Sequence, residues 1–350
     1  SNTLSKPILK LTEADYNAHG MAQLATEKGP VYNINIHIFN KIQHTITGWP
    51  GGKPNADDSQ RPERAEPAKK RAIVFSPHPD DDVISMGGTF IRLADQGHEV
   101  HVAYQTAGNT AVWDDDALRF VEFSIDFNRS QGLDIGQLET MYSEMRDFIS
   151  AKNPNQADTE AIRTVKGLIR KGEAIAGARF AGLPDERIHF MEPPSYDKGG
   201  KKANFEQDVT KTMDLLKAIK PQQVFAAGDF ADPHGTHKIC FDIIVTALTR
   251  LKQTEDWIKD CRLWLYRGAW HEFEIHEIEM AVPLSPQEVE RKRLAIFKHQ
   301  SQKDLPVFPG DDAREFWVRA EDRTRSTAKA YNDLGLAEYE AIEAFKRWVY

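Results

Sequence analysis

The stretch RAIVFSPHPDDDVISMGGTFIRLADQGHEVHVAYQ, residues 71–105, decides the fold. It opens on an apolar run, RAIVFS, that reads as a buried strand. The run ends abruptly in one His, one Pro and three consecutive Asp. GGTFIRLADQG, residues 87–97, reads as a helix with Gly97 as its stop signal. EVHVAYQ, residues 99–105, is the next strand. Strand, helix and strand within about 35 residues make the βαβ unit of a parallel sheet. Asp80, Asp81 and Asp82 repel one another, so solvent, helix-terminus dipoles or a metal must offset the cost.

The same grammar continues along the chain. Further strands are predicted at 187–191, 222–227 and 262–266, and helices at 204–220 and 236–252. The alternation predicts an α/β fold: an open, mostly parallel Rossmann-like sheet with helices on both faces. Residues 113–182 are too long for an ordinary crossover and read as a helical insertion. The tail from SPQEVERKRLAIFKHQSQ, residue 285 onward, also reads as mainly helical. Ahead of the sheet, residues 1–47 form an N-terminal segment. There Val31, Ile34, Ile38 and Ile42 recur at helical spacing, while Ile34, Ile36 and Ile38 alternate, so helix and strand both stand. Residues 48–70, rich in Pro, Gly and charge, read as a linker, and the compact domain is expected over 71–350.

Composition narrows the function. The chain has 350 residues, 40% hydrophobic and 28% charged, with a net charge of −8. That is globular material with room for a large core. The acidic balance speaks against nucleic acid or an anionic membrane as partner. No apolar run reaches membrane-spanning length. The opening SNTLSKPILK lacks a signal-peptide plan, so a cytoplasmic location is expected. Cys240 and Cys261 have no CxxC spacing and read as two buried thiols.

Open parallel sheets bind ligands at the carboxyl ends of their strands. SPHPDDD, residues 76–82, ends the first strand. AAGDFADPHGTHKIC, residues 226–240, follows the apolar run QQVFAA and contributes Asp229, Asp232, His234 and His237. Two strand ends therefore deliver His and Asp to one side of the fold. Imidazole with carboxylate suits a divalent transition metal, zinc first. His78, Asp81 and His237 would supply two nitrogens and one oxygen, leaving a position open. Asp80 is then placed to take a proton, and His234 to steady an oxyanion, a full set for metal-assisted hydrolysis.

His78-Pro79-Asp80-Asp81 with a following acid, then His234-x-x-His237, resembles the LmbE-like or PIG-L family of zinc deacetylases. GGTFIRLADQGHEVHVAYQTAGN, RKGEAIAGARFAGL and KHQSQ fit it too, over roughly residues 71–305. The resemblance implies removal of an acetyl group from an N-acetylglucosamine-type substrate. It implies Zn2+ on His78, Asp81 and His237, Asp80 as general base, and His234 stabilising the tetrahedral intermediate. The alternatives are an amidase on a sugar conjugate and a non-catalytic sugar-sensing domain. Two departures stand out. Asp82 replaces the usual Glu, with support of the metal-binding residues from behind or helix capping as its role. Thr236 replaces the Asp that often precedes the last His, with Asp232 as the candidate substitute.

The implied substrate contacts are Arg170, with Glu173 following, and Asn109. Arg170 reads equally as a solvated helix face. YDKGGKK, residues 196–202, reads as a surface loop or a phosphate contact. The aromatics Trp264, Tyr266, Trp270 and Phe273 read as core before sugar platform. The N-terminal segment, linker, insertion and the tail AEDRTRSTAKAYNDLGLAEYEAIEAF look similar to the C-terminal half of longer bacterial proteins. In those, a glucosamine-6-phosphate deaminase-like domain precedes the LmbE-like one.

Overall fold

The apolar run after Arg71 becomes β1 (Arg71–Ser76), an interior strand of a seven-stranded sheet. The computed structural model describes residues 1–51, 69–153, 156–191, 205–230, 235–268, 271–304, 307 and 312–350. Most of the expected linker, 52–68, lies outside the described residues. The other strands are β2 (Glu99–Tyr104), β3 (Ile188–Phe190), β4 (Gln223–Ala227), β5 (Arg262–Tyr266), β6 (Met280–Leu284) and β7 (Ala341–Trp348). They run in the order β3-β2-β1-β4-β5-β7-β6. The first five are parallel, and β7 is antiparallel to both β5 and β6.

Strand periodicity sends alternate side chains to opposite faces. Ala72 and Val74 of β1 join one core; Ile73 and Phe75 join the other. Helices cover both. On the first face lie α4 (Asp81–Asp95), α7 (Glu160–Phe180) and α10 (Pro286–Ile296). On the second lie α8 (Phe205–Ile219) and α9 (Thr236–Leu251). Fully burying one such Val, Leu or Phe is worth about 1.5–3 kcal/mol, so the two cores carry most of the stability.

The insertion is helical as expected: α5 (Asp114–Ser130), α6 (Gly136–Ala151) and then α7. Ala117, Val121, Ile125, Met145 and Ile162 give it a small core of its own. Thr159 caps α7 by accepting the Ile162 N–H. The tail is helical through α10, the short α11 (Gln300–Lys303) and α12 (Phe316–Asp333). It then ends in β7, a strand the sequence reading did not anticipate. AIEAFKRW carries Glu343 in its middle, which hid a strand buried on both faces. Glu343 is satisfied inside: it accepts the Gly88 and Thr89 N–H groups and the Lys292 ammonium at 2.7 Å.

One boundary differs from expectation, and one open choice is decided. α4 starts at Asp81, not at Gly87, and Met86 sits at a kink inside it. Gly88 explains how the second half of the helix fits: a Cβ there would lie 2.5 Å from Leu284. In the N-terminal segment, after the short α1 (Glu13–Ala18) and α2 (Ala22–Lys28), helix wins over strand: α3 spans Val31–Gln43. Its end packs on the sheet, where Thr47 N–H donates to Ala281 and Thr45 accepts from Ala281 N–H.

Candidate active site

β1 lies between β2 and β4, where the order of connection reverses, so a crevice opens beyond its carboxyl end. Ser76 is the last residue of β1, and the loop Pro77–Asp80 turns straight into α4. The turn holds itself. The Ser76 hydroxyl donates to the His78 carbonyl at 2.6 Å, and the Asp80 N–H donates to the same carbonyl at 2.8 Å. Asp80 stands at the N-cap of α4, with Asp81 and Asp82 in its first turn. The three carboxylates therefore diverge around a helix start, each to different partners.

Asp81 faces the two histidines. Its Oδ2 accepts the His78 N–H at 2.9 Å and lies 3.0 Å from His78 Nδ1 and 3.2 Å from His237 Nε2. The donor atoms of all three side chains lie within 4.8 Å of one another. Asp81 and His237 are buried, whereas His78 keeps 23% of its side chain exposed. Burial pushes the Asp81 carboxyl up, but His237 and His78 outweigh it and hold the group far below the usual carboxylate range. His237 stands on the first turn of α9. Its Nδ1 donates to the Asp229 carbonyl at 2.9 Å. A carbonyl only accepts, so Nδ1 carries the proton and, in the neutral ring, Nε2 turns its lone pair to the cluster. Two nitrogens and one oxygen in a buried, one-side-open cluster fit a divalent transition metal.

Asp80 faces elsewhere. Its Oδ1 lies 3.2 Å from Arg170 Nη2, and both side chains are almost fully buried. Burial raises the Asp80 pKa against the opposing pull of Arg170. Arg170 is thus no solvated helix face: only 1% of it is exposed. The reason is Gly108, at φ +61 in the loop after β2. A Cβ there would lie 2.8 Å from Pro79 Cδ and 3.2 Å from Arg170 Nε. Asn109 follows and lines a cavity beside Pro79. One turn beyond Arg170, Glu173 accepts the Ser301 N–H and hydroxyl, both at 2.7 Å. KHQSQ is thereby bound to α7.

Asp82 points inward. It accepts the Tyr104 hydroxyl at 3.0 Å and lies 3.1 Å from Ser76 Oγ. Burial pushes its carboxyl up to about 7. Thr236 is fully buried at the first position of α9. His234, Asp232, Trp270 and the 196–202 run lie outside the described residues. Trp264 donates to Gln223, the Tyr266 hydroxyl donates to the Phe75 carbonyl, and Phe273 is buried, so these three are core. Cys240 and Cys261 are buried thiols, as expected. Sequence reasoning missed Tyr104, Gly108 and the Asp229 carbonyl. None has a local signature, since each acts through a contact across the sheet end.

The family described as PIG-L, GlcNAc-PI de-N-acetylase, matches residues 73–248, half of the chain. This chain belongs to the PIG-L family. A Bacteroides thetaiotaomicron protein described as a putative glucosamine-6-phosphate deaminase-like protein is 53% identical over 98% of this chain. The chain spans only 52% of that relative. The diacetylchitobiose deacetylase of Thermococcus kodakarensis is 25% identical over 44% of this chain and 69% of its own. Among solved structures, the N,N'-diacetylchitobiose deacetylase of Pyrococcus horikoshii superposes with a TM-score of 0.50 at 19% identity. That match covers 80% of this PIG-L chain and 84% of the other, and it shows the shared fold. No described helix is long and apolar enough to cross a membrane.

Proposed function

We propose that this PIG-L chain is a metal-dependent hydrolase that removes the acetyl group from an N-acetylglucosamine-type substrate. The observation that carries the reading is the convergence of His78, Asp81 and His237 in one buried cluster at the ends of β1 and β4. Those three residues would hold the metal, with zinc favoured by two imidazoles and one carboxylate. When bound, the metal would acidify water and polarise the acetyl carbonyl.

The chain's own groups have distinct work. The Asp229 carbonyl orients His237. Asp80 lies one residue from the ligand Asp81 and is the general base in this reading. Its pairing with Arg170 keeps it aimed and opposes the rise that burial imposes on its pKa. Asp80 would return the proton to the leaving amine. His234 is assigned the oxyanion by the motif alone. Asp82 supports the turn from below, tying it to Tyr104 of β2. The amide-cleaving assignment is also supported by the deacetylase names of the family and of the Thermococcus relative.

The deaminase-like name belongs to a protein about twice this length. In our reading this chain corresponds to a deacetylase part of such a protein, and a deaminase-like part would account for the name. The domain itself is taken as 71–350, entered through the 48–70 linker, and a cytoplasmic setting is part of the proposal.

The test is metal analysis with acetate release on N-acetylglucosamine substrates. About one divalent metal per chain is expected, and Asp80→Asn should keep the metal while kcat falls roughly 10²–10⁴-fold. Protein that takes up no metal, or an Asp80→Asn variant as fast as the parent, would sink the reading.

A further inference from the structure

His299, in KHQSQ (residues 298–302), is fully buried beside the Pro77–Asp80 turn, and the proposed chemistry does not use it. It stands at the N-cap of α11. Its ring packs on α7 at Gly177, where a Cβ would lie 2.7 Å from His299 Nε2. Arg170, Glu173 and Gly177 fall at i, i+3 and i+7, so they share one face of α7. That face runs from the guanidinium that meets Asp80 to the ring of His299. The ring also faces the carbonyl of Pro79, the residue before Asp80. Its neighbours fasten the same segment down. Ser301 donates its N–H and its hydroxyl to Glu173. Gln302 Nε2 donates to the Ala111 carbonyl at 2.7 Å, in the loop after β2 that carries Asn109. The KHQSQ segment thus grips the turn after β1, the loop after β2 and α7 where they meet at Asp80.

Keeping an imidazole here is costly. Neither of its nitrogens hydrogen-bonds a described residue, and Arg170 Nε and Nη1 are likewise without a partner among the described residues. An apolar side chain would fill the same space without that cost. Arg170 is held by one carboxylate and by the groups packed around it. Burial, then the Arg170 charge, lowers the His299 imidazole to about 3, so the ring is neutral. A neutral ring offers one donor and one acceptor, matching a carbonyl on one side and a guanidinium on the other. Hydrogen bonds around a catalytic group are often long before substrate binds and tighten in the complex.

We infer that His299 is a positioning residue: it holds the Pro79 carbonyl and the Arg170 guanidinium in register and through them aims Asp80. The inference rests on the deacetylase reading above, in which Asp80 is the base. The experiment compares the metal-loaded parent with His299→Leu, His299→Gln and Gly177→Ala. It reads metal content, urea unfolding, and acetate release from whichever N-acetylglucosamine compound the parent deacetylates. His299→Leu should keep its metal and unfold at no lower urea than the parent, while kcat falls tenfold or more and KM moves less than twofold. His299→Gln, whose amide both donates and accepts, should recover part of kcat. Gly177→Ala should also lower kcat, because its Cβ displaces the ring, although alanine favours the helix. Parent-like kcat in His299→Leu, or a loss that His299→Gln shares in full, overturns the assignment while the deacetylase reading stands. So does a loss that comes with lost metal or an equal rise in KM. Should His299→Leu fail to fold, Gly177→Ala decides in its place. If the parent releases no acetate, the deacetylase reading falls, and crystal structures decide the positioning role. The 3.2 Å contact of Asp80 with Arg170 lost in His299→Leu supports it, and the contact kept overturns it.

Discussion

Asp80, Asp81 and Asp82 are identical in chemistry and adjacent in sequence, yet each has a different environment. Asp80 meets a guanidinium, Asp81 two imidazoles, and Asp82 a phenol and a serine hydroxyl. A helix start does this, because its first residues fan out around the axis. The motif was legible because His, Pro and Asp after an apolar run are a local signal. The partners were not, because Arg170 and Tyr104 arrive from elements 90 and 24 residues away from Asp80 in sequence. Gly108 shows the dependence at its sharpest. Gly108→Ala should cost roughly 1–2 kcal/mol from the left-handed backbone alone. It should also lower kcat, since the new Cβ meets Pro79 and Arg170. Urea unfolding and steady-state kinetics check both effects. A fully active, equally stable variant would mean that the packing around Arg170 does not matter.

At the scale of elements, α4, α10 and β7 are locked by one buried ion pair. Lys292 and Glu343 are each 1% exposed, and the carboxylate also takes two N–H groups from the kinked middle of α4. Lys292→Met should cost about 3–5 kcal/mol by leaving a buried charge unpaired. Adding Glu343→Gln to it should recover part of the loss in the same denaturation experiment. A second element-level device lies between β2 and β3, where His101 Nδ1 and His189 Nε2 are 3.0 Å apart. Burial, then the neighbouring His101, lowers the His189 imidazole to about 4. The unfolded chain therefore binds this proton more readily between about pH 6.5 and pH 4. Stability from this group is full above that window and is lost as pH falls through it. His189→Gln should show a shallower fall in urea midpoint over the same range. An unchanged slope would place the acid sensitivity elsewhere.

For the whole molecule, the site is a by-product of sheet topology. Reversal of the strand order at β1 leaves a gap, and the loop after β1 and the first turns of α4 and α9 fill it with His78, Asp81 and His237. The two large cores cover both faces of the sheet, and His78, Asp81 and His237 belong to neither. Metal removal should therefore lower the melting temperature without abolishing cooperative unfolding. A ligand at 100 times its Kd adds about 2.7 kcal/mol to the folded state. Adding zinc to stripped protein should thus raise Tm by several degrees, and His237→Ala should remove that rise. A Tm indifferent to zinc in the parent would argue against the site.

Strand and helix alternation, the insertion and the metal-type donor set could all be read from the chain itself, because each is written in short-range pattern. Apolar runs, helical periodicity and residue type at a strand end are local properties. Other facts came only with the tertiary structure. β7 entered the sheet because Glu343 found partners on α4 and α10. Arg170 turned inward because Gly108 made room for it. The cavity beside Pro79 exists because α7 lies over Tyr104 and Phe190, at the ends of β2 and β3. Each of these depends on contacts between residues far apart in sequence. Burial of a charged group is permitted only by the partners it meets on folding.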